Sequence, residues 1–318
     1  MTETKVGFFL ERHIPAPEES RRTILQAILK PEVLDILSAK NWGISIAIPG
    51  EITDAVVETI RLLNTECPDS CVTAWVTLPK KIGYRTNVFT LPATERTVNS
   101  ILKTAGEENL RIDAIGFDLE PPVYLMDSMT QSPRRFLSDY LYLFRMKRHI
   151  MKSGARPHQR FSDLVETVEN QGVGVETYEM PLPPCLVPDL FNLTPEEGLK
   201  VDRFGMFYSA ILPPIVRRLQ PILSLYAVDV MPKLAKRELH PALGVVSGKE
   251  GEIARRNLGA PEEIDIVCLT RKEFIADVQR ITERGILRDG LYIYALGGKH
   301  SLHLLEWTKE ALSLARSK

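Results

Sequence analysis

Two carboxylates at the end of an apolar run are the residues of this chain best placed to do chemistry. The segment Asp113–Pro122 reads DAIGFDLEPP, and its apolar centre predicts a buried strand. Side chains alternate along a strand, so Asp118 and Glu120 share one face with Gly116, while Phe117 points to the other. Burying a carboxylate is costly unless it is paired or partly neutralised. This cost indicates a functional pair capable of general acid and base catalysis.

The elements that must position this pair are indicated by recurring apolar runs. Runs rich in β-branched and aromatic residues alternate with segments of helical period. Eight candidate strands result: Val6–Leu10, Gly43–Ile48, Cys71–Leu78, Ile112–Leu119, Gly172–Tyr178, Phe204–Ile211, Leu225–Val230 and Leu291–Leu296. Strands that are apolar on both faces and alternate with helices predict a parallel sheet, and eight such units predict an α/β fold of the (β/α)8 TIM barrel type. An open doubly wound sheet is the alternative, but no strand is followed by its glycine-rich phosphate turn.

Helix signals and two long connections complete the predicted barrel. The predicted helices are Arg21–Ala39, Thr53–Leu63, Thr94–Thr104 with a C-cap at Gly106, Pro133–Lys152, a segment around Ser162–Val168, and Thr270–Arg284. The run Ile264–Leu269 is either a ninth strand or the lead-in to the last of these helices. Long insertions near 123–171 and 232–261 follow strands, so in a barrel they lie on the catalytic face. Residues 1–318 are expected to form a single TIM-barrel domain.

Further candidates follow from the rule that barrel enzymes place catalytic groups at the C-terminal ends of their strands. The substrate-binding candidates selected in this way are Trp75, Tyr84, Tyr178, Glu179, Asp229 and Tyr294. Glu176 and Tyr208 also lie at strand ends. Carboxylates surrounded by aromatic rings are typical of a sugar site, where one acid keeps its proton for the glycosidic oxygen.

The fourth-strand motif resembles that of the family 18 glycoside hydrolases, the chitinase-like TIM barrels, whose pattern is D-x-x-D-x-D-x-E. Asp113, Asp118 and Glu120 stand at its first, third and fourth acidic positions, and Gly116 stands at the second. The resemblance implies that Glu120 is the proton donor. It implies that Asp118 orients the acetamido group of the substrate, whose oxygen is the internal nucleophile in that family.

A second segment carries the same resemblance. Met206-Phe207-Tyr208-Ser209 is similar to the family's M-x-Y-D on strand six, with Ser209 in place of the aspartate. The resemblance implies that Tyr208 is a catalytic residue that contacts the reacting acetamido group. The family's tryptophan at the end of the last strand has no counterpart within 292–298.

Composition narrows the partners and the location. The chain has 40 Lys and Arg against 41 Asp and Glu, so it lacks the basic excess that favours nucleic acid. No apolar run approaches the roughly 20 residues of a membrane-spanning helix. The N-terminal run Val6–Leu10 is followed directly by Glu11, so it is too short for a signal peptide, which predicts a cytoplasmic location.

The cysteines do not predict a metal site. Only Cys67 and Cys71 of the four lie close together, so no zinc site is expected, and no other metal or cofactor is expected either. The oligomeric state stays open.

Three hypotheses of function remain open. The leading one is a glycoside hydrolase-like barrel that acts on a small carbohydrate or glycoconjugate, with Glu120 as general acid and base and Asp118 as the orienting carboxylate. The second is a metal-dependent sugar isomerase or lyase, with Glu120, Glu176 and Asp229 as ligands of a divalent cation. The third is a catalytically silent barrel that binds a carbohydrate or a protein. In that case Glu120 belongs to a structural ion network, for which the candidate partners are Arg12, Arg85 and Arg203.

Overall fold

The structure, a computed structural model, describes residues 5–11, 16–120, 133–152, 154, 156–179, 193, 200–207, 240–243, 271–283, 285, 287, 290–294, 296 and 301–316. Eight parallel strands follow one another around a closed barrel in chain order, and the eighth pairs with the first. The predicted TIM barrel is therefore confirmed. The strands are β1 (Lys5–Leu10), β2 (Gly43–Pro49), β3 (Val72–Thr77), β4 (Ala114–Leu119), β5 (Gly174–Glu179), β6 (Val201–Phe207), β7 (His240–Leu243) and β8 (Gly290–Tyr294).

Helices lie between most of the described strands. They are α1 (Glu18–Ile28), α2 (Pro31–Lys40), α3 (Asp54–Glu66), α4 (Leu91–Glu107), α5 (Pro133–Lys152), α6 (Pro157–Glu169), α7 (Arg271–Glu283) and α8 (Ser301–Arg316). A short 3-10 turn, Lys80–Ile82, follows β3. Proline stands in the first turn of α2, α4 and α6, where its missing N–H costs nothing and its fixed φ suits the helix.

The strands bury both faces, as a parallel barrel requires. The helix-facing side carries the main apolar core, in which Phe117 of β4 packs edge-on against Phe161 of α6 with ring centroids 5.2 Å apart. The lumen-facing side of the same strand carries Gly116 and Asp118, and the tyrosine ring of Tyr178 fills the space above Gly116. The predicted division of β4 into a bulky outer face and a small-then-acidic inner face is thus observed. The lumen of the barrel holds polar side chains among aromatic rings.

The seventh strand is not where the apolar pattern placed it. His240–Leu243 pairs in parallel with β6 on one side and with β8 on the other, so the prediction of Leu225–Val230 as strand seven is wrong. The sequence HPAL is short and contains a proline, so it lacks the β-branched run on which the prediction relied. The predicted insertion at 232–261 therefore contains a barrel strand. The segments 225–230 and 264–269 lie outside the described residues.

Two helix predictions also need correction. The predicted helix Arg21–Ala39 is two helices, because Pro31 removes a backbone donor and starts α2 after the break at Lys30. Gly106 is not a C-cap, since α4 continues to Glu107. The left-handed residue after that helix is Asn109, with φ 51°.

Candidate active site

Asp118 and Glu120 lie together at the C-terminal end of β4, where the sequence placed them. Both are buried, with 4% and 2% of their surface exposed. Asp118 stands in register with Tyr178 of β5, one residue pair before the strands separate. Burial raises the pKa of Asp118 to about 6, and the positive charge of Arg85 opposes this rise.

The connection from β3 to α4 brings an arginine to these acids. Its backbone is tied to the end of β4, because the Thr86 N–H donates to the Asp118 carbonyl at 2.9 Å and the Asn87 side-chain amide donates to the Glu120 carbonyl at 3.3 Å. A further bond runs from the Leu78 N–H to the Tyr84 carbonyl at 2.7 Å. These bonds fix the backbone on both sides of Arg85. The arginine is therefore held beside the carboxylates by the loop itself.

Arg85 forms an ion pair with Glu120 through Nη1 and Oε2, and its Nε lies 3.7 Å from Oδ2 of Asp118. The guanidinium is itself buried. Among the three arginines that the sequence offered to Glu120, Arg85 makes the contact, while Arg12 and the side chain of Arg203 lie outside the described part of the chain. A guanidinium in contact with a carboxylate stabilises its ionised form, so Arg85 favours the ionised form of Glu120.

A third buried carboxylate, which the sequence analysis did not identify, belongs to this site. Glu11 follows β1 and is 4% exposed, and its two oxygens accept hydrogen bonds from the hydroxyls of Tyr84 and Tyr294. Burial raises the pKa of Glu11 to about 7, and the negative charge of Asp118 adds to that rise. The hydrogen bond from Tyr294 and the charge of Arg85 act in the opposite direction.

The sequence contained a signal for Glu11. Lys5, Gly7, Phe9 and Glu11 share one strand parity, so an acid on the lumen side follows directly from the alternation rule. In the sequence, Glu11 stands out only as the charged residue that ends an apolar run. The rule that found Asp118 on β4 therefore also applies to the end of β1.

Acid is expected to stabilise the protein through Glu11. The folded-state pKa of about 7 lies above the ordinary 4.5, so this contribution to the free energy of unfolding is complete below pH 4.5 and is lost as the pH rises through about 7. A shift of this size corresponds to about 3 kcal/mol. Chemical denaturation should show a free energy of unfolding that falls between about pH 5 and pH 8, with a flatter profile in Glu11→Gln. The exposed Glu51, which follows β2, supplies the control Glu51→Gln, and an equally steep profile in Glu11→Gln would contradict the assignment.

Two of the predicted substrate-binding aromatics contact Glu11, and a third packs against one of them. Tyr84 and Tyr294 donate to Glu11, and the ring of Trp75 lies 6.4 Å from that of Tyr294, measured between centroids. Tyr84 has φ 67°, an uncommon backbone conformation for a tyrosine, which is held by the turn that begins at Gly83. The structure thus brings Trp75, Tyr84 and Tyr294 together at the end of the barrel that carries the acids.

Tyr178 and Glu176 serve a different, buried network. Glu176 accepts hydrogen bonds from Tyr178 at 2.8 Å, from Tyr292 at 2.7 Å and from the Lys5 ammonium at 2.9 Å. The hydroxyl of Tyr178 also lies 3.1 Å from Ser45 Oγ. These contacts bind the interior of β5 to β1, β2 and β8. They satisfy both oxygens of Glu176 within the barrel core.

The structure does not bring Glu179 to the carboxylates. Glu179 lies on the opposite face of β5 from Tyr178, and it accepts a hydrogen bond from the Thr177 hydroxyl at 3.0 Å. Tyr208 and Asp229 lie outside the described residues. Since β7 is His240–Leu243, Asp229 does not stand at the end of strand seven.

The first acid of the family-like motif has a structural role. Asp113 precedes β4, and its Oδ2 accepts the Val72 N–H at 2.7 Å and lies 3.3 Å from Arg111 Nε. A strand rises about 3.3 Å per residue, so Asp113 and Glu120 stand roughly 23 Å apart along β4. Asp113 therefore secures the start of β3 at the opposite end of the barrel.

Gly116, which replaces the second acid of that motif, leaves room for a tyrosine. A Cβ atom at Gly116 would lie 2.6 Å from the hydroxyl oxygen of Tyr178 and 2.7 Å from a carbon of its ring. Tyr178 is itself fixed by Glu176 and Ser45. An aspartate at this position is incompatible with the tyrosine in its present place.

Gly116→Ala is expected to lower the free energy of unfolding by about 1–3 kcal/mol, because the Tyr178 ring cannot move without giving up its buried hydrogen bonds. Thermal or urea denaturation measures the change. Gly106→Ala is the matched control, since no atom lies within 4 Å of a Cβ built there, and alanine should stabilise the helix by up to about 1 kcal/mol. Equal effects of the two substitutions would contradict the packing described for Gly116.

Comparison with known proteins supports the fold. No family model matches the chain, and no curated protein matches it. Among solved structures, a chitinase from Chromobacterium violaceum is 11% identical with a TM-score of 0.54, and the alignment covers 98% of this chain and 99% of that one. A broad-specificity endoglucanase from Ruminococcus champanellensis is 11% identical with a TM-score of 0.53, covering 99% and 96%. A D-tagatose 3-epimerase-like protein is 11% identical with a TM-score of 0.50, covering 99% of both chains. Identities this low establish the shared barrel and nothing finer.

The described residues contain neither a membrane-spanning helix nor a cluster of metal-binding side chains. No described helix is long and apolar enough to cross a bilayer. Within the described ranges, no three His, Cys, Asp or Glu side chains are grouped so that they could share a metal ion. Glu11, Asp118 and Glu120 are therefore not arranged as a compact set of ligands.

Proposed function

We propose that the chain is a glycoside hydrolase-like barrel that cleaves a glycosidic bond by carboxylate acid and base catalysis. The observation that carries the proposal is the arrangement at the end of β4, where Asp118 and Glu120 share one guanidinium, Arg85. Two acids in unequal environments are what acid-assisted glycoside cleavage requires, since one must hold a proton while the other stays charged. The aromatic rings of Trp75 and Tyr294 supply the apolar surface that a sugar ring stacks on.

The environments assign a role to each acid. Glu120 makes the closer contact with Arg85 and so remains an anion. Asp118 lies farther from the guanidinium, and burial raises its pKa to about 6, so it holds a proton over part of the neutral range. We therefore assign proton donation to Asp118 and electrostatic stabilisation to Glu120, the reverse of the roles that the family 18 resemblance implies.

The chemistry follows from these charges. Asp118 donates its proton to the glycosidic oxygen as the bond from that oxygen to the anomeric carbon breaks. Positive charge develops on the sugar ring, and the carboxylate of Glu120 stabilises it. Water then supplies hydroxide to the anomeric carbon, and its remaining proton returns the acid to its starting state.

A metal-dependent isomerase or lyase is less well supported by the contacts. That hypothesis needs Glu176 as a ligand together with Glu120, but Glu176 already accepts hydrogen bonds from Lys5, Tyr178 and Tyr292. Binding a cation there would displace the ammonium of Lys5 and both hydroxyls. The glycoside cleavage proposed above makes no such demand.

The test is sugar release from a panel of chromogenic glycosides that carry hydroxyl, amino or N-acetylamino groups. We expect turnover by the wild type, tolerance of EDTA, and a loss of at least about 100-fold in Glu120→Gln. Glu51→Gln, an exposed acid after β2, should retain full activity. Loss of activity in EDTA would favour the metal-dependent alternative. A wild type that releases no sugar from any member of the panel would overturn the proposal in favour of a binding barrel.

A further inference from the structure

The charges at this end of the barrel do not balance within the described part of the chain. Glu11, Asp118 and Glu120 are three buried carboxylates, and Arg85 is the buried cation that faces them. Lys80, in the 3-10 turn after β3, exerts a weaker attraction on Glu11. With all three acids ionised, the buried groups carry an excess of negative charge.

Several buried polar atoms at the same place have no hydrogen-bond partner among the described residues. They include Oδ1 of Asp118, Oε1 of Glu120, Nε1 of Trp75 and Oγ1 of Thr77. Trp75 and Thr77 share the lumen face of β3, on which Trp75 pairs with Gly116 of β4, two residues before Asp118. The unpartnered carboxylate oxygens are acceptors, whose cost in free energy a ligand with donors recovers, whereas the Trp75 indole N–H is a donor, which a sugar hydroxyl can accept from. The unpartnered hydroxyl of Thr77 and indole N–H of Trp75 therefore lie on the lumen side of the barrel, as Asp118 does.

We infer that this site takes a sugar that bears a positively charged amine, with the ammonium beside the unpartnered oxygens of Asp118 and Glu120 and attracted also by the charge of Glu11. This inference rests on the proposed function for the sugar and adds the charge of the ligand. An ammonium group offers three donors and one positive charge, which answers both the unpartnered acceptors and the missing counter-charge. Neutral hydroxyls, or the acetamido group that the family 18 resemblance implies, provide donors without the charge.

Protons take the place of the cation when the site is empty. Burial raises the pKa of Glu11 to about 7 and that of Asp118 to about 6, with Arg85 opposing both shifts and Lys80 opposing the first. Tyr84 and Tyr294 face Glu11 as hydrogen-bond donors. A bound ammonium favours the ionised acids, so its binding must release protons near neutral pH. A neutral sugar has no such linkage.

Isothermal titration calorimetry on the full chain tests this directly. The probes are glucosamine, galactosamine and mannosamine, each paired with its N-acetyl counterpart and with the plain hexose, at about pH 6.5 in two buffers of different ionisation enthalpy. We expect at least one amine to bind about tenfold more tightly than both neutral partners, with net proton release. Glu11→Gln should reduce the preference and the proton release together. Glu51→Gln should change neither.

The outcomes separate this inference from the proposed function. Hydrolysis of neutral glycosides without an amine preference would overturn the inference and leave the proposed function standing. An amine preference in a protein that hydrolyses none of the glycosides would support the inference and contradict the proposed hydrolase function. An amine that binds no better than its N-acetyl form, or none that binds at millimolar concentration, would overturn the inference. The wild-type proton release decides the matter even if Glu11→Gln folds poorly.

Discussion

Asp118→Asn is expected to lower kcat by about 10²–10⁴-fold on a glycoside whose leaving group must be protonated. Asparagine keeps the size and most of the hydrogen bonding of the side chain but cannot donate the proton. The same variant should lose much less on an aryl glycoside whose leaving group departs as a stable anion. Steady-state kinetics on the two substrate types provide the comparison, and Asp69→Asn, an exposed residue before β3, is the control.

The pH profile separates catalysis from a structural role of Asp118. The acid must be protonated to act, so wild-type kcat/KM should fall as the pH rises through about 6 to 7, the range in which Asp118 and its neighbour Glu11 titrate. Because the two acids influence each other, the apparent pKa of this decrease in kcat/KM is a property of the pair and not of Asp118 alone. Asp118→Asn should change the pH dependence of this decrease. An equal loss on both substrate types with an unchanged profile would show that Asp118 only holds the site together.

Strand β4 shows how much of the site the sequence could predict. Alternation alone placed Asp118 and Glu120 on the lumen face and Phe117 against the helices, because a buried strand leaves its side chains no other arrangement. The same local rule, applied to β1, would have found Glu11. The count of such runs also predicted the barrel, although one of the eight, Leu225–Val230, is not strand seven. The positions of the acids depend only on neighbouring residues in one strand, so they can be predicted from the sequence without knowledge of the fold.

The remaining features depend on contacts that are distant in sequence. The sequence offered Glu120 three arginines, and Arg85 is brought to it by hydrogen bonds from the Thr86 N–H and the Asn87 side-chain amide to the end of β4. β7 is a four-residue strand with a proline, and its pairing with β6 and β8 outweighs its weak local propensity. The exclusion of a side chain at Gly116 arises from Tyr178 on the next strand. No local pattern encodes these three facts.

Arg85→Met is expected to lower the free energy of unfolding by about 3–5 kcal/mol at pH 8, because it leaves Asp118 and Glu120 buried without their counter-charge. Arg85 also opposes the raised pKa values of Glu11 and Asp118, so its removal moves both farther above their unfolded values. The native state of the variant then binds more protons than the unfolded chain over a wider range. Its stability should therefore fall more steeply than that of the wild type as the pH rises.

Urea denaturation of Arg85→Met at about pH 5 and pH 8 tests this pH dependence. Protonation of the unpaired acids should restore much of the lost stability at the lower pH. Arg61→Met removes an exposed ion pair to Glu108 at 2.9 Å and should cost less than about 1 kcal/mol at either pH. A loss in Arg85→Met that is the same at both values would mean that the side chain acts by packing its aliphatic stem. A loss that disappears in acid would identify Arg85 as the group that keeps the carboxylates charged at the end of the barrel.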